Sequence, residues 1–271
     1  MNHRHTGLWP LLALGLGALG CQPTQAQITE PAAPHNGLHS LQAYEDENRL
    51  SAGYARWREF GLRGIYQLGD HQLSGEAINM NRFNEDGNYL GLGDTLVLSP
   101  DWYSSLNVGA GDGAPYLPKY RLDAFLHRKF LNDRRLVGSV GLGRYRAPDG
   151  HQDDNASIGL TYHFSLPWVV QAQARRTRSN PGHIDTQQYF VAATWGQHQQ
   201  TQVTGRYGWG REGYQSLGDA LSISQFASRQ KTLTVQHWIG LDWGIKVSVD
   251  NYHNPYYDRN GLSLAVFKDF R

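Results

Sequence analysis

Apolar and polar side chains alternate along most of this chain with a period of two residues. In the stretch SIGLTYHFSLPWVVQAQARRT, residues 157–177, the alternation runs up to Pro167 and resumes after it. A period of two is typical of a β-strand with one apolar face, so the stretch predicts a hairpin with a turn at Pro167. The residues expected on the apolar face are Ile158, Leu160, Val170 and Ala172, and those expected on the polar face are His163, Gln171 and Arg175.

The same alternation predicts about fourteen strands after a short N-terminal leader. The first two strands have the weakest pattern, and merging or dropping them gives the alternative of twelve. The predicted strands are 47–56, 60–68, 72–83, 88–98, 102–112, 118–130, 135–147, 154–165, 167–178, 186–196, 200–211, 229–239, 243–253 and 259–270.

The connections between these strands alternate between tight turns and longer loops. Residues 131–134 (LNDR) form a tight turn, whereas residues 111–118 (GDGAPYLP) and 212–228 form longer loops. An outer-membrane barrel has short periplasmic turns and longer outer loops, and a β-sandwich has no reason for this alternation. We therefore expect an all-β protein with a single transmembrane antiparallel up-and-down β-barrel, whose two termini lie in the periplasm.

Aromatic residues fall near both sets of connections, as the two interfacial girdles of a barrel require. The group near the tight turns is Trp102, Phe130, Trp168, Trp195, Trp243 and Phe270. The group near the longer loops is Tyr116, Tyr145, Tyr207, Trp209, Tyr252 and Tyr257.

The N-terminus predicts export. Residues 1–26 contain Arg4, a 14-residue apolar run from Gly7 to Gly20, and small residues before a cut after Ala26, which is typical of a secretory signal peptide. Cleavage with lipidation at Cys21 is the alternative, although the residues before it fit a lipoprotein signal poorly. The predicted organisation is a signal peptide at 1–26, a periplasmic leader at 27–46 and a barrel domain at 47–271.

Composition and charge support an alternating membrane barrel. The chain has 31 glycines, 15 tyrosines, 8 tryptophans and a mean hydropathy of −0.56. Removing residues 1–26 takes away Arg4 alone and leaves 24 basic and 24 acidic residues, so no charge excess points to nucleic acid. The mature chain then has no cysteine, and it needs no disulfide.

Several motifs resemble a known family. They are YLPKYRLDAFLHRKF at 116–130, YFVAATWG at 189–196, VTGRYGWGREGYQ at 203–215 and NYHNPYYDRNGLSLAVFKDF at 251–270. With them, residues 53–270 resemble the YaiO-type outer-membrane β-barrel domain. The resemblance implies a single outer-membrane barrel, sometimes found beside tetratricopeptide repeats or surface-polysaccharide machinery, and it brings no catalytic residues. Barrels of this membrane usually end on an aromatic residue bound by the assembly machinery, whereas here Arg271 follows Phe270.

A histidine–serine pair and two acid-rich segments are the candidate sites of catalysis or metal binding. His163 and Ser165 share a strand face, but residues two apart on a strand do not bring a base and a nucleophile into contact. Residues 84–88 (NEDGN) and 149–155 (DGHQDDN) are acid-rich without the spacing of a calcium loop, so we interpret them as solvated loops, with divalent bridging to lipopolysaccharide as the alternative. The sequence thus predicts no catalytic residues, no metal site and no cofactor.

Charged residues on the predicted inner faces are the main candidates for function. They either pair with one another across the interior or line a conduit with both signs of charge. We predict a non-enzymatic structural or transport role, linked by extension to export or surface handling of envelope polysaccharide, with residues 212–228 as a constriction. The candidate lumen-facing residues are Glu76, Arg82, Arg121, Asp123, Lys129, Arg175, Arg206, Lys246 and Asp250.

Two other functions stay open at this point: a barrel enzyme that modifies lipid or polysaccharide, and a secreted carbohydrate-binding β-sandwich. The partners expected for a barrel are outer-membrane lipids and lipopolysaccharide, the barrel-assembly machinery, and polysaccharide or periplasmic export proteins. No nucleic-acid partner is expected.

Overall fold

The computed structural model describes residues 36–165, 167–217 and 222–270, together with a short bridge between β1 (Leu11–Leu12) and β2 (Gln27–Ile28). The remaining strands are β3 (Gly37–Leu50), β4 (Trp57–Leu68), β5 (His71–Arg82), β6 (Glu85–Val97), β7 (Trp102–Gly111), β8 (Tyr120–Phe130), β9 (Leu136–Arg146), β10 (Gln152–His163), β11 (Trp168–Asn180), β12 (Ile184–Gly196), β13 (Thr201–Ser216), β14 (Ser222–Trp238), β15 (Trp243–His253) and β16 (Asp258–Asp269).

These strands form one closed barrel. Each strand from β3 to β16 pairs antiparallel with its chain neighbours, and β16 closes the barrel against β3 from Arg259–Leu50 to Asp269–Ser40. The closed sheet of fourteen strands within the described ranges confirms the predicted all-β up-and-down barrel. It rules out both the twelve-strand alternative and the β-sandwich.

The barrel has two ends that differ in their connections. At the turn end lie the residues before β3 and after β16 and the connections 69–70, 98–101, 131–135, 164–167, 197–200 and 239–242. At the loop end lie the connections 51–56, 83–84, 112–119, 147–151, 181–183, 217–221 and 254–257.

The strand faces agree with the expected alternation. In the β10–β11 hairpin, Ile158 is 65% exposed on the outer surface, whereas His163 is 5% exposed on the inner one. Leu160 and Val170 are also exposed, and Gln171 and Arg175 are buried. An outward apolar band and an inward polar face are what a lipid-facing barrel requires, because lipid replaces a protein core on the outside.

Only part of the predicted aromatic girdles is correct. Trp102, Phe130, Trp168, Trp195 and Trp243 are exposed at the turn end, as predicted. At the loop end, Tyr207 and Trp209 are exposed and stack on each other with ring centroids 5.4 Å apart. The remaining four predicted members instead point into the barrel: Tyr116, Tyr252 and Tyr257 are buried, and Tyr145 is half-buried.

The position of the first barrel strand was predicted wrongly. Residues 37–46, assigned to the leader, belong to β3, and residues 51–56, assigned to the first strand, connect β3 to β4. The outer face of β3 carries Leu41 and Ala43 but then Glu45, Glu47 and Arg49, so its apolar alternation is short. Closure against β16 makes this polar segment a strand. The predicted signal peptide at 1–26 and the Cys21 alternative lie outside the residues whose side chains are described.

The predicted contrast in loop length is smaller than expected. Most of the predicted loop 212–228 is strand, because β13 runs to Ser216 and β14 begins at Ser222. The longest connection at the loop end is 112–119. No helix in the described part of the chain is long and apolar enough to span a membrane.

Candidate functional site: the barrel interior

All nine predicted lumen-facing charges lie on the inner face of the barrel. Arg82, Asp123 and Arg175 are buried, and the others are half-buried; whether these nine side chains serve a function stays a prediction. Their contacts divide into ion pairs and contacts with neutral groups. The ion pairs are Glu76 with Arg63 at 2.9 Å, Arg82 with Glu59, Arg121 with Asp123, Arg175 with Asp123 at 3.9 Å, and Asp250 with Arg259 at 3.2 Å.

The other three cations make contacts with neutral side chains. Arg206 lies 4.6 Å from the ring centroid of Phe190, and Lys129 lies 5.7 Å from that of Tyr103. Lys246 donates a hydrogen bond of 3.0 Å to Gln42. The interior therefore contains both paired charges and cations held by rings or amides, so neither of the two expectations for these residues describes all of them.

Sequence reasoning missed several inner-face charges, namely Asp46, Glu59, Arg63, Asp153, Glu212 and Arg259. Asp46 and Glu59 were missed because the first strands were misplaced, and Glu212 because it was assigned to a loop. Arg63 could have been found, since it lies on the polar face of a strand that was predicted.

One side of the interior is filled by aromatic and aliphatic side chains, which we call the aromatic plug. It has two buried clusters, to which β3–β5, β14–β16, the connections 112–119 and 254–257, and Leu217 contribute. Cluster one is Tyr44, Ile78, Met80, Tyr116, Leu117 and Ala265, and cluster two is Trp57, Leu217, Ile223, Phe226, Tyr252 and Tyr257.

The connection 112–119 folds into the barrel to complete the plug. The Tyr116 hydroxyl donates to the backbone carbonyls of Met80, at 3.1 Å, and Glu85, at 3.0 Å. Gly87 makes room for this connection, since a Cβ there would lie 2.7 Å from the Tyr116 hydroxyl and 2.8 Å from Leu117. The plug therefore depends on a glycine in β6, the strand that faces this connection.

Arginines link the two clusters of the plug. Arg82 is fully buried, pairs with Glu59, and lies 4.7 Å from the ring centroid of Trp57 and 5.7 Å from that of Tyr116. Arg259 lies 5.1 Å from the ring centroid of Trp57. Guanidinium groups over aromatic faces are stabilised by the ring quadrupole, so these charges are compatible with an otherwise apolar plug.

The opposite side of the interior is lined by polar groups, which we call the polar wall. It consists of the inward side chains of β10–β13, among which the apolar members include Val169, Ile184, Phe190 and Ala192. Its hydroxyl, amide and charged members include Asn155, Ser157, Thr161, Gln171, Gln173, Arg175, Thr177, Gln188, Thr194, Gln202, Thr204 and Arg206.

A small cavity of about 20 Å³ lies against the polar wall towards the loop end. Its lining includes Arg121, Asp123, Asp153, Arg175 and Glu212. The Nε and Nη2 atoms of Arg175 have no hydrogen-bond acceptor within the described residues, and Asp123 is 3.9 Å from Nη2. A cavity of this size holds about one water-sized group, and a buried guanidinium requires acceptors.

Next in sequence to the cavity-lining residue Gly213, β13 contacts the connection 147–151 through Tyr214. Tyr214 stacks on His151 with ring centroids 3.8 Å apart and donates a hydrogen bond of 2.7 Å to Asp149. Partial burial would raise the pKa of the Asp149 carboxyl, but hydrogen bonds from the His151 amide and the Tyr214 hydroxyl outweigh it and hold this pKa below its usual value.

The two serine–histidine arrangements do not form a hydrolase site. Ser165 accepts a hydrogen bond from Arg135 at 2.6 Å at the turn end. The second arrangement, which sequence reasoning missed, is His127 between the hydroxyls of Ser105 at 3.2 Å and Ser139 at 2.8 Å. His127 is buried against Tyr103, and in the described part of the chain no carboxylate hydrogen-bonds to it, so the group that orients a catalytic histidine is missing from these contacts.

The described residues contain no group of three or more His, Cys, Asp or Glu arranged to hold a metal ion. The two acid-rich segments, interpreted from the sequence as solvated loops, lie mostly in strands, since residues 85–88 begin β6 and residues 152–155 begin β10. Asn88 donates to Asp112, and Asn81 donates to Asp86 at 2.7 Å.

Comparisons with known proteins agree with this architecture. The model of the YaiO membrane beta barrel domain matches residues 38–215. No curated protein matches the sequence significantly.

Several solved structures share the fold at low sequence identity. The CymD monoaromatic hydrocarbon channel aligns with a TM-score of 0.57 and 8% identity, over 88% of this chain and 89% of CymD. A bacterial polysaccharide outer membrane secretin aligns with a TM-score of 0.53 and 11% identity, over 87% of this chain and 99% of its own. The TodX monoaromatic hydrocarbon channel, as its deltaS2 mutant, aligns with a TM-score of 0.53 and 10% identity, over 89% and 91%.

Proposed function

Because this chain belongs to the YaiO membrane beta barrel domain family and folds as an outer-membrane barrel, we propose that it is a narrow polar conduit across that membrane. The loop end faces the cell surface, and both ends of the barrel chain face the periplasm. The observation that carries the proposal is the division of the interior into an aromatic plug and a polar wall, with the cavity lying against the wall.

The polar wall sets the class of solute. Amide and hydroxyl groups such as Gln171, Gln173 and Thr204 can donate and accept hydrogen bonds along one continuous surface. Solutes rich in hydroxyl groups match this surface, whereas an aromatic hydrocarbon would leave buried polar groups without partners. The name of the polysaccharide secretin agrees with this class, and the names of the two hydrocarbon channels do not.

An extended polysaccharide strand is the largest ligand of this class and fits the expected link to envelope polysaccharide. We infer that the Tyr214–His151 contact covers the conduit at the loop end, so passage of the strand requires this contact to open. Small hydroxylated solutes require a smaller opening.

A planar-bilayer recording tests the conduit. We expect small discrete conductance steps for the wild type and larger steps for Tyr214→Ala, since that change removes the ring that stacks on His151 in the inferred closure. Phe60→Ala is the matched control, because Phe60 is an exposed aromatic residue on the outer surface. A barrel that is folded by heat-modifiable gel migration yet silent in both forms would contradict the conduit.

Labelling of single cysteines in intact cells tests the orientation. Pro148→Cys places a thiol on an exposed loop-end connection, and Asp70→Cys places one on an exposed turn-end connection. A membrane-impermeant maleimide should label the first in intact cells and the second only after the outer membrane is permeabilised. The reverse pattern would overturn the orientation while leaving the conduit untouched.

A further inference from the structure

The outer rim at the loop end carries two pairs of cations that differ in their partners. Each pair occupies successive outward positions of one strand, just beyond its apolar band. Arg176 and Arg178 follow Ala172 and Ala174 on β11, whereas Lys231 and Arg229 lie beyond Val235 and Leu233 on β14.

The pair on β11 is partly neutralised within the protein. Arg176 and Arg178 share the Asp185 carboxylate on β12, at 3.3 and 3.2 Å. Arg144 on β9 is paired with Asp154 at 2.6 Å. This sector of the rim therefore has less capacity for an external anion than an unpaired pair of cations.

The pair on β14 has no such neutralisation. Within the described ranges, no carboxylate lies at ion-pair distance from Arg229 or Lys231, and both side chains are exposed. Arg229 pairs in register with Trp209 and His253, and Lys231 with Tyr207 and Asn251. His253, the register neighbour of Arg229, is itself bonded to Asp258 at 2.6 Å, so this acid already has a partner.

The spacing of this pair fits a phosphate group. Successive outward residues of a strand are about 7 Å apart, so two like charges face the same surface with no anion between them. A phosphate presents several oxygens and can accept from both cations, with a geometry that suits arginine in particular. Tyr207 and Trp209 lie beside the pair at the level where aromatic side chains meet lipid headgroups.

We propose that Arg229 and Lys231, flanked by Tyr207 and Trp209, bind a phosphate of lipopolysaccharide in the outer leaflet. The choice of lipid rests on the proposed orientation, since the loop end reaches the outer leaflet only if it faces the cell surface. The choice of phosphate rests on the two cations and the absence of a protein anion at ion-pair distance from them within the described residues.

Native mass spectrometry of the refolded barrel in detergent tests the site. The probe is purified lipopolysaccharide carrying its lipid A phosphates, titrated in EDTA so that divalent ions cannot bridge it to acidic side chains. We expect Arg229→Gln with Lys231→Gln to weaken binding by about tenfold or more. Arg176→Gln with Arg178→Gln, the matched control, removes the same charge and should change binding by less than about twofold. Arg229→Lys should bind more tightly than the double glutamine variant because it keeps the charge, and less tightly than the wild type because it loses the guanidinium geometry.

The comparison ligands separate the possible sources of the phosphate. Dephosphorylated lipopolysaccharide should bind like the β14 double variant, and phosphatidylglycerol should bind more weakly than intact lipopolysaccharide. Equal binding by the β14 variant and the wild type, an equal loss in the β11 control, or equal binding of phosphatidylglycerol would each overturn the proposal, provided that gel migration shows folded barrels. A silent barrel in the bilayer recording would not affect these results, so the two proposals fail separately.

Discussion

The aromatic plug and the polar wall are built from strands of the same alternating pattern, yet they fill the interior in different ways. In the plug, large rings pack over one another, as where Trp57 meets Phe83 and Tyr257 edge to face. In the polar wall, most inward residues are hydroxyls and amides, and one guanidinium lacks hydrogen-bond acceptors for two of its nitrogens. The difference shows that inward side chains of a barrel can either pack together or present polar groups, and that the two kinds occupy different groups of strands.

The largest expected effect is the loss of a ring from the plug. Trp57 is 1% exposed and contacts two aromatic rings and two guanidinium groups. Trp57→Ala should reduce the free energy of unfolding by about 3–5 kcal/mol, because it leaves a cavity and removes the aromatic partner of the Arg82 and Arg259 guanidinium groups. Urea titration in lipid vesicles, followed by the folded and unfolded gel bands, measures this change.

Gln188→Ala is the corresponding change in the polar wall. Gln188 is half-buried and lines the cavity, so its removal should cost less than about 1 kcal/mol. If the two variants lost equal stability, the distinction between a packed plug and a solvated wall would be wrong.

The next largest effect separates the polar wall from the lipid surface behind it. Leu160→Arg should cost about 2–4 kcal/mol if the position lies near the midplane, because the charge faces hydrocarbon. Thr161→Arg points to the polar interior and should cost less than about 1 kcal/mol. Measuring folded yield and unfolding free energy for the pair checks both, and equal tolerance would overturn the assignment of the two faces.

The sequence predicts some features of the barrel better than others. The faces of Leu160 and Thr161 follow from the period of two, and fourteen strands follow from counting such segments. The position of β3 does not, because Glu45 and Glu47 on its outer face break the apolar alternation and only pairing with β16 makes the segment a strand.

The plug was the less predictable half of the interior. Tyr116 lies in a connection rich in glycine and proline, where aromatic residues also suit a girdle, and local sequence does not say whether that connection folds outward or inward. Its inward position is determined by long-range contacts with Met80 and Gly87. The inward Arg175 and Arg206 of the wall were predictable because they lie within correctly predicted strands, whereas Asp153 and Glu212 lie just outside the predicted bounds.

Glycine-to-alanine changes in the aromatic plug and the polar wall should also differ in their cost to stability, but by a smaller amount. A Cβ at Gly87 would lie 2.7–2.8 Å from Tyr116, Ala114 and Leu117, whereas at Gly208, on the polar wall, the nearest atom would be 3.7 Å away. Gly87→Ala should therefore cost about 1–3 kcal/mol by displacing the connection 112–119, and Gly208→Ala should stay within about 0.5 kcal/mol.

Bilayer recordings give this glycine comparison a second measurement. Displacement of the connection should enlarge the conductance of Gly87→Ala and leave that of Gly208→Ala at the wild-type value. A Gly87→Ala barrel with unchanged stability and conductance would show that the connection 112–119 does not pack tightly against β6.

The smallest expected effect lies at the closure above the polar wall and depends on pH. Hydrogen bonding holds the folded-state pKa of Asp149 below its ordinary value, so the stability that this carboxylate contributes is present above the unfolded-state pKa and is lost as the pH falls through the folded-state pKa. Asp149 is largely exposed, and solvent screening limits its contribution to the free energy of unfolding to about 0.5 kcal/mol or less. Asp149→Asn should remove this part of the acid sensitivity in urea titrations at pH 5 and pH 3.

Bilayer conductance at the two pH values gives a second measurement. Asp86→Asn is the control, because it leaves the Tyr214 contact intact and should not change the conductance. Conductance that rises on acidification in the wild type but is constant in Asp149→Asn would tie the Tyr214–Asp149 hydrogen bond to closure of the polar side, and the same rise in both variants would assign the acid response to another group.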